Sequence, residues 1–365
     1  MAQVKAAQVG RKRRMINLDT LVNNSVNQAL MTERAVLRYS KDIEKVYSEC
    51  VDAVNTSILA FFGKYADSNG KISLSTSKRK LTSKELKELK KKIERWIEQN
   101  ISAILKSKLQ KYEDRVSVSR LEALQLELEY DMEKYFQHLS EYVPVALEGA
   151  TLYSYYNTYY GLCRGIKGGV VFVPLTEKDV TKIINNKRFD VDYKQRLQNN
   201  RATFTYNCGI KLPAALSRGF SGEKSSEEIK KIAKTSNVKS FSLLRTYVDS
   251  AMNEANIEVY RNSLITHYRY VAVLDNRTSE ICRELDGNIF KISEAEQGVN
   301  LPPMHNNCRS SVCPIIKDED AFRKRTESAT TDALAISKVM SEKKFIDKNI
   351  PREQYYKVLN FLDKN

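Results

Sequence analysis

The sequence predicts a mainly α protein: a long-helix bundle or hairpin, then a compact α+β domain, then a helical tail. Three observations predict it. Apolar residues recur at three- and four-residue spacing through most of the first 145 residues, the signature of buried helix faces. After Gly161 glycines cluster and short alternating segments replace the long period. The composition, 42% hydrophobic and 29% charged, suits a folded globular chain. The divisions that follow are residues 1–20, a basic arm; 21–160, the long-helix region; 161–318, the α+β domain; and 319–365, the helical tail.

The arm carries Arg11, Lys12, Arg13 and Arg14 in a row, a candidate nucleic-acid contact with a solvated tail as the plain alternative. It holds no apolar run of the kind a secretory signal needs. Over residues 21–65, Val36, Ile43, Val46, Cys50, Val54, Ile58 and Phe62 share one helix face. Asp67, Ser68, Asn69 and Gly70 then break the period. Thr82 with Glu85 reads as a capping box for a second helix bearing Leu86, Leu89, Ile93, Trp96, Ile97, Ile101 and Ile104 on one face, with Lys90, Lys91 and Lys92 mostly outward. A third helix, with Leu121, Leu124, Leu128, Met132, Phe136, Leu139 and Val143, is expected to end or kink at Pro144. Tyr153, Tyr155, Tyr156, Tyr159 and Tyr160 predict a helix that packs one side and leaves hydroxyls wet on the other.

Residues 170–173, Val-Val-Phe-Val before Pro174, read as a short strand. The preceding glycines lack the order of a phosphate loop, since the strand follows them. Helices are expected over 177–185 and 192–200, at a second capping box of Ser225 with Glu228, and over 241–262. Strands are expected over 268–274, 289–292 and 311–316. The chain then closes in a charged amphipathic stretch broken at Pro351.

Sixty Lys and Arg against 45 Asp and Glu give a net charge of +15, which draws a protein to polyanions without choosing a base sequence. No apolar stretch approaches the roughly 20 residues that a bilayer requires, so no membrane partner is expected. Six cysteines in 365 residues make no disulfide framework and read as free thiols or metal ligands.

Three motif pieces occur in order. Arg245 and Thr246 lie on a helix that continues to Asn253; Asp275, Arg277, Thr278 and Cys282 follow the strand and lead to Asp286-Gly287; Pro302-Pro303, His305, Cys308 and Arg309 come last. This series resembles the Mu F-like head-morphogenesis family of tailed bacteriophages, over about residues 189–316. The resemblance implies a minor head (capsid) protein inside the phage head near the portal, assembled in the host cytoplasm and ejected with the genome. Its implied partners are the portal protein, phage double-stranded DNA bound without sequence preference, and a scaffold or major capsid protein.

Cys282, His305 and Cys308 are nitrogen and sulfur ligands of the type zinc prefers, with Cys313 or the Asp286 carboxylate as candidate fourth ligand. Family members commonly carry another cysteine just behind the Cys308 position, where this chain has Ser310 and Ser311. Buried apolar thiols and a Cys282–Cys308 disulfide remain alternatives. Asp275, Arg277, Asp286 and Arg309 read as structural, with Asp275 capping a turn and Arg277 or Arg309 bridging carboxylates; Arg245 reads as an anchor for an adjacent loop. No residue is identified as catalytic, and the competing reading is a packaged enzyme, either a metal-dependent nuclease or a toxin-like effector.

Overall fold

The computed structural model describes residues 16–166, 170–188 and 190–329, together with Gln354, residues 356–358 and Phe361. The arginine-rich stretch Arg11–Arg14 and most of the tail beyond 329 lie outside the described residues. Within them the chain forms eleven α-helices and one three-stranded sheet. None of the helices is long and apolar enough to cross a membrane.

Three long helices make the frame. Helix α1 (Leu18–Tyr65) is capped by Asn17, whose side chain accepts from the Thr20 amide, and buries the stripe Val36, Tyr39, Ile43, Cys50, Val54, Ile58 and Phe62. It packs against α6 (Glu133–Gly165) and α9 (Gly222–Asn262), which also pack on each other. Glycine sets the approach of α1 to α6. A Cβ on Gly161 would sit 2.2 Å from Asn24 Nδ2, and one on Gly165 would sit 2.4 Å from Leu21 Cδ2. At the centre, the Gln28 amide of α1 donates to the Ser154 carbonyl of α6 (2.7 Å) and to Asn256 Oδ1 of α9 (3.1 Å). Thr158 of α6 donates to the same Asn256 oxygen at 2.7 Å, so one buried polar network joins all three helices. Helix α8 (Tyr193–Ser217) flanks α9, and α7 (Glu177–Ile184) packs beside α6.

A basic hairpin stands to one side. The single turn α2 (Leu74–Ser77) leads into α3 (Ser83–Ile97), α4 (Ala103–Glu113) and α5 (Arg120–Asp131). These have their own small core of Leu89, Ile93, Leu105, Leu109, Val118 and Leu126, with Trp96 stacked on Tyr130 at 4.4 Å. The expected capping box opens α3: the Thr82 amide donates to Glu85 and the Glu85 amide donates back to Thr82 Oγ1.

The sheet has strand order β2-β1-β3, all antiparallel, from β1 (His267–Val271), β2 (Ile289–Lys291) and β3 (Ser311–Ile315). Pro314 is tolerated because β3 is an edge strand. Short helices α10 (Glu280–Leu285) and α11 (Glu319–Ala329) complete the named elements. One core runs continuously from Leu21 to Phe361, and Phe361 closes on Gly149, Tyr39 and Tyr153.

Several expectations fail for identifiable reasons. The third helix breaks at Met132, and α6 continues through Pro144 instead of ending there. The break lets Asp131 accept from Ser57 of α1 while Glu133 accepts from the Ser102 amide and pairs with Arg201 of α8. Burial of Leu139, Val143, Ala146 and Leu147 around Pro144 outweighs its local cost. Residues 170–173 form no strand, because their backbone groups bond to side chains. Val173 donates to Tyr159 Oη (3.3 Å), and its carbonyl accepts from Tyr155 Oη (2.6 Å). Four of the five tyrosines are therefore not wet: Tyr153, Tyr155, Tyr156 and Tyr159 are buried, Tyr156 donates to Gln354 at 2.7 Å, and Tyr160 is half-buried. Ser225 caps nothing, since α9 starts earlier at Ser221, where Gly222 packs against Phe62.

Two stability measurements follow. Gly165→Ala should lower urea-unfolding stability by about 1–3 kcal/mol through overpacking. Gly63→Ala, in α1 with open space around it, should be neutral or stabilising by up to about 1 kcal/mol; equal losses at both sites would contradict the close α1–α6 approach. Glu85 offers a pH test. Burial alone raises its pKa, but bonds from the Thr82 amide, Tyr65 and Lys64 outweigh it and pull the carboxyl down to about 2 from 4.5. A depressed carboxylate stabilises above its unfolded pKa and loses that contribution as pH falls. Glu85→Gln should thus cost about 1–2 kcal/mol at pH 7 and almost nothing near pH 2.

Candidate metal centre

Three local structures bring Cys282, His305 and Cys308 together. Helix α10 begins at Ser279, whose Oγ accepts from the Cys282 amide, so Cys282 lies in its first turn. His305 and Cys308 flank a turn closed by the bond from the Cys308 amide to the His305 carbonyl, at 3.2 Å. Asn307 takes a left-handed φ of 61° in that turn, and its amide donates to Thr246 Oγ1 of α9 at 3.0 Å. Leu301, Met304 and the Pro302–Pro303 peptide bond, which is cis, lead into the turn.

The Cys282 and Cys308 sulfurs are 3.9 Å apart, and Cys282 Sγ is 3.4 Å from His305 Nε2. All three ligand atoms lie within 4.8 Å of one another, which among the described residues is the one such group. The other ring nitrogen, Nδ1, is 2.9 Å from the Asn306 carbonyl. A proton on Nδ1 leaves the Nε2 lone pair facing the two sulfurs, the arrangement that orients metal-binding imidazoles. Tyr270, fully buried on β1, donates to Cys282 Sγ at 3.3 Å, and Ser279 Oγ meets Nε2 at 2.8 Å. The hydrogen bond from Cys308 holds the Cys282 thiol well below its ordinary pKa, with Ser279 and Tyr270 helping and burial opposing. That same bond pushes the Cys308 thiol up.

Two expected partners stand elsewhere. Cys313 does not join the group. It pairs with Arg269 in the sheet, whereas Tyr270 pairs with Val312, and alternation puts Cys313 on the face opposite the Tyr270 ring. Its thiol faces Ser25 of α1, and burial raises its pKa to about 11. The Asp286 carboxylate is committed to the Ala272 amide at 2.8 Å, with Gly287 turning the chain at φ 81°. All six cysteines are free thiols, so Cys282 and Cys308 are not joined.

The charged motif residues form a brace beside the cluster. Asp275 accepts from the Arg277 amide at 2.8 Å, and Arg309 grips its carboxylate with both guanidinium arms at 2.7 and 2.6 Å. The Arg309 bonds, with that amide, hold the Asp275 carboxyl far below the usual range. Thr278 donates to the Val273 carbonyl and accepts from the Asp275 amide. Arg277 is exposed and contributes its amide, not its guanidinium, so Arg309 alone makes the bridge. Arg245 anchors no loop: it pairs with Glu33 of α1, tying two long helices together.

Sequence reasoning passed over Asp249. It stands one turn beyond Arg245 and one before Asn253 on α9, a polar i, i+4, i+8 row that marks the site-facing side of the helix. Its side chain is buried and its Oδ2 has no hydrogen-bond partner among the described residues. Burial drives its carboxyl well above the ordinary range, with Arg245 opposing. Asp249, Cys308, Arg245, Arg277 and Arg309 all line one cavity of about 450 Å³ between α1, α9 and the end of β1.

If the Asp275–Arg309 fork holds this loop, Asp275→Ala should speed tryptic cleavage at Arg277 and Arg283 several-fold. Arg309→Lys should do so more weakly, because lysine keeps the charge and loses the fork. Unchanged cleavage in both variants would show that the loop is ordered by other contacts.

Residues 209–313 match the family described as Phage Mu protein F like protein. No curated protein and no solved structure matches the chain. The matched stretch begins near the end of α8, takes in α9 and β1, and ends inside β3, so it contains the Arg245–Thr246 pair, the Asp275 brace and all three cluster residues. Over residues 209–313 the chain is thus similar to the Mu F-like phage protein family.

Proposed function

We propose that the protein is a minor head component of a tailed phage, acting in head morphogenesis by binding rather than catalysis. The Mu F-like match over residues 209–313 carries this reading. In it the protein sits inside the head near the portal, binds the packaged double-stranded DNA without sequence preference and leaves with the genome. The portal protein and a scaffold or major capsid protein are its protein partners.

Charge supports the DNA part. Between residues 78 and 115, which span the α3–α4 hairpin, thirteen Lys and Arg face six Asp and Glu. Lys84, Lys87, Lys91, Arg95, Lys106 and Lys111 are all exposed. The hairpin has its own core, so it presents this charge away from the three-helix frame. A surface of this kind neutralises phosphates and releases counterions, which gives a steep salt dependence.

Two measurements test the reading. Quantitative mass spectrometry of intact and DNA-emptied virions should find a few copies in full heads and loss on ejection. Equal amounts in both would make it a fixed portal or shell component, and absence from both would sink the head-protein reading. In solution, affinity for duplex DNA should fall steeply with salt and be indifferent to sequence. The triple variant Lys84→Glu, Lys87→Glu, Lys91→Glu should flatten that slope; an unchanged slope would move the DNA contact off the hairpin.

A further inference from the structure

We infer that Cys282, His305 and Cys308 bind one zinc ion, with a water as fourth ligand on the side of the cavity where Asp249 stands. The geometry carries this. With zinc–sulfur bonds of about 2.3 Å and zinc–nitrogen bonds of about 2.0–2.1 Å, a tetrahedral site has S···S edges near 3.8 Å and S···N edges near 3.5 Å. The protein places its sulfurs 3.9 Å apart and Cys282 Sγ 3.4 Å from Nε2, and the third edge, from Cys308 Sγ to the imidazole, is within 4.8 Å. A disulfide would need the sulfurs at about 2.05 Å, and unlinked apolar thiols need no imidazole lone pair aimed between them.

The surroundings fit a metal in three further ways. The Asn306 carbonyl fixes the proton on Nδ1, leaving Nε2 as the ligand. Tyr270 supplies a hydrogen bond to Cys282 Sγ from within the core, which favours a thiolate there. Binding converts both thiols to thiolates and releases their two protons to solvent, so the site carries no net charge with neutral His305. Ser279 Oγ, now bonded to Nε2, turns away and keeps its bond from the Cys282 amide.

Among the described residues the fourth position has no protein ligand, because Cys313 lies on the other face of the sheet and Asp286 is committed to Ala272. Cys308 and Asp249 both line the cavity of about 450 Å³, which is the side from which the water ligand would enter. The buried Asp249 Oδ2, without a partner among the described residues, is the acceptor that a metal-bound water requires. Clamping α10 to the His305–Cys308 turn, the ion holds together two segments that the sheet does not pair. This inference stands on the cluster's geometry and is independent of any role in the phage head.

The test uses the full chain purified without chelator. Elemental analysis should find one zinc per chain. After exchange for Co²⁺, the absorption spectrum should show tetrahedral ligand-field bands and thiolate-to-metal charge transfer. Cys282→Ser, His305→Ala and Cys308→Ser should each lose the metal, while Cys313→Ala and Cys163→Ser should keep it. If the ligand variants fail to fold, chelator-stripped wild-type protein decides, because its melting temperature should fall and recover with added zinc. Asp249→Asn should retain zinc but yield it to chelator 10–100-fold more readily, as loss of an outer-shell acceptor does. Substoichiometric zinc with a melt indifferent to chelator, or an intact mass showing a Cys282–Cys308 disulfide, would overturn the site. Unchanged chelator resistance in Asp249→Asn would overturn the water assignment.

Discussion

A single glutamine amide, that of Gln28, stands where the three long helices meet. It is 1% exposed and is satisfied by groups from α6 and α9 together. A buried amide left without partners costs about 1–3 kcal/mol, so each helix can occupy only the register that completes the set. Apolar packing by itself would tolerate slippage of one long helix along another. The polar contacts among Gln28, Ser154, Thr158 and Asn256 remove that freedom, and the glycines at 161 and 165 let the backbones come close enough for them to form.

The Mu F-like region inherits this order from its first helix. Thr246, Asn253 and Tyr260 lie along α9 and bond, respectively, to the Asn307 amide, the Ser310 carbonyl and the Val312 carbonyl. The Cys/His turn and β3 are thus laid along one face of α9 by three side chains at intervals of seven residues, two helical turns apart. Between Asn253 and Tyr260, the same helix meets Gln28 through Asn256. The cluster geometry is therefore tied to the bundle, even though the family match begins only at residue 209.

Much of this was legible beforehand. The helical stripe of α1, the Thr82–Glu85 box, the three strands and the grouping of Cys282, His305 and Cys308 all appear in the sequence through periodicity, caps and motif order. What escaped was decided by contacts distant in sequence. Pro144 marks no break because Val143, Ala146 and Leu147 around it are buried, and Met132 marks one because Asp131 and Glu133 answer groups on other helices. The segment 170–173 has strand-like residues, but its backbone bonds to tyrosines 14 and 18 positions away, which no local pattern encodes. Cys313 and Asp286 were reasonable ligands by spacing; sheet parity and the Ala272 amide exclude them. Asp249 was hidden because a lone acid among helix residues looks like any solvated charge until its burial is known.

The Gln28–Asn256 contact joins residues 228 positions apart. A ribosome adding about 5–20 residues each second needs roughly ten to forty-five seconds to travel from one to the other. For that interval α1 exists with its polar centre and much of its apolar stripe uncovered, and Phe361, which seals Tyr39 and Gly149, comes later still. The nascent chain must therefore shelter a long amphipathic helix throughout most of its own synthesis.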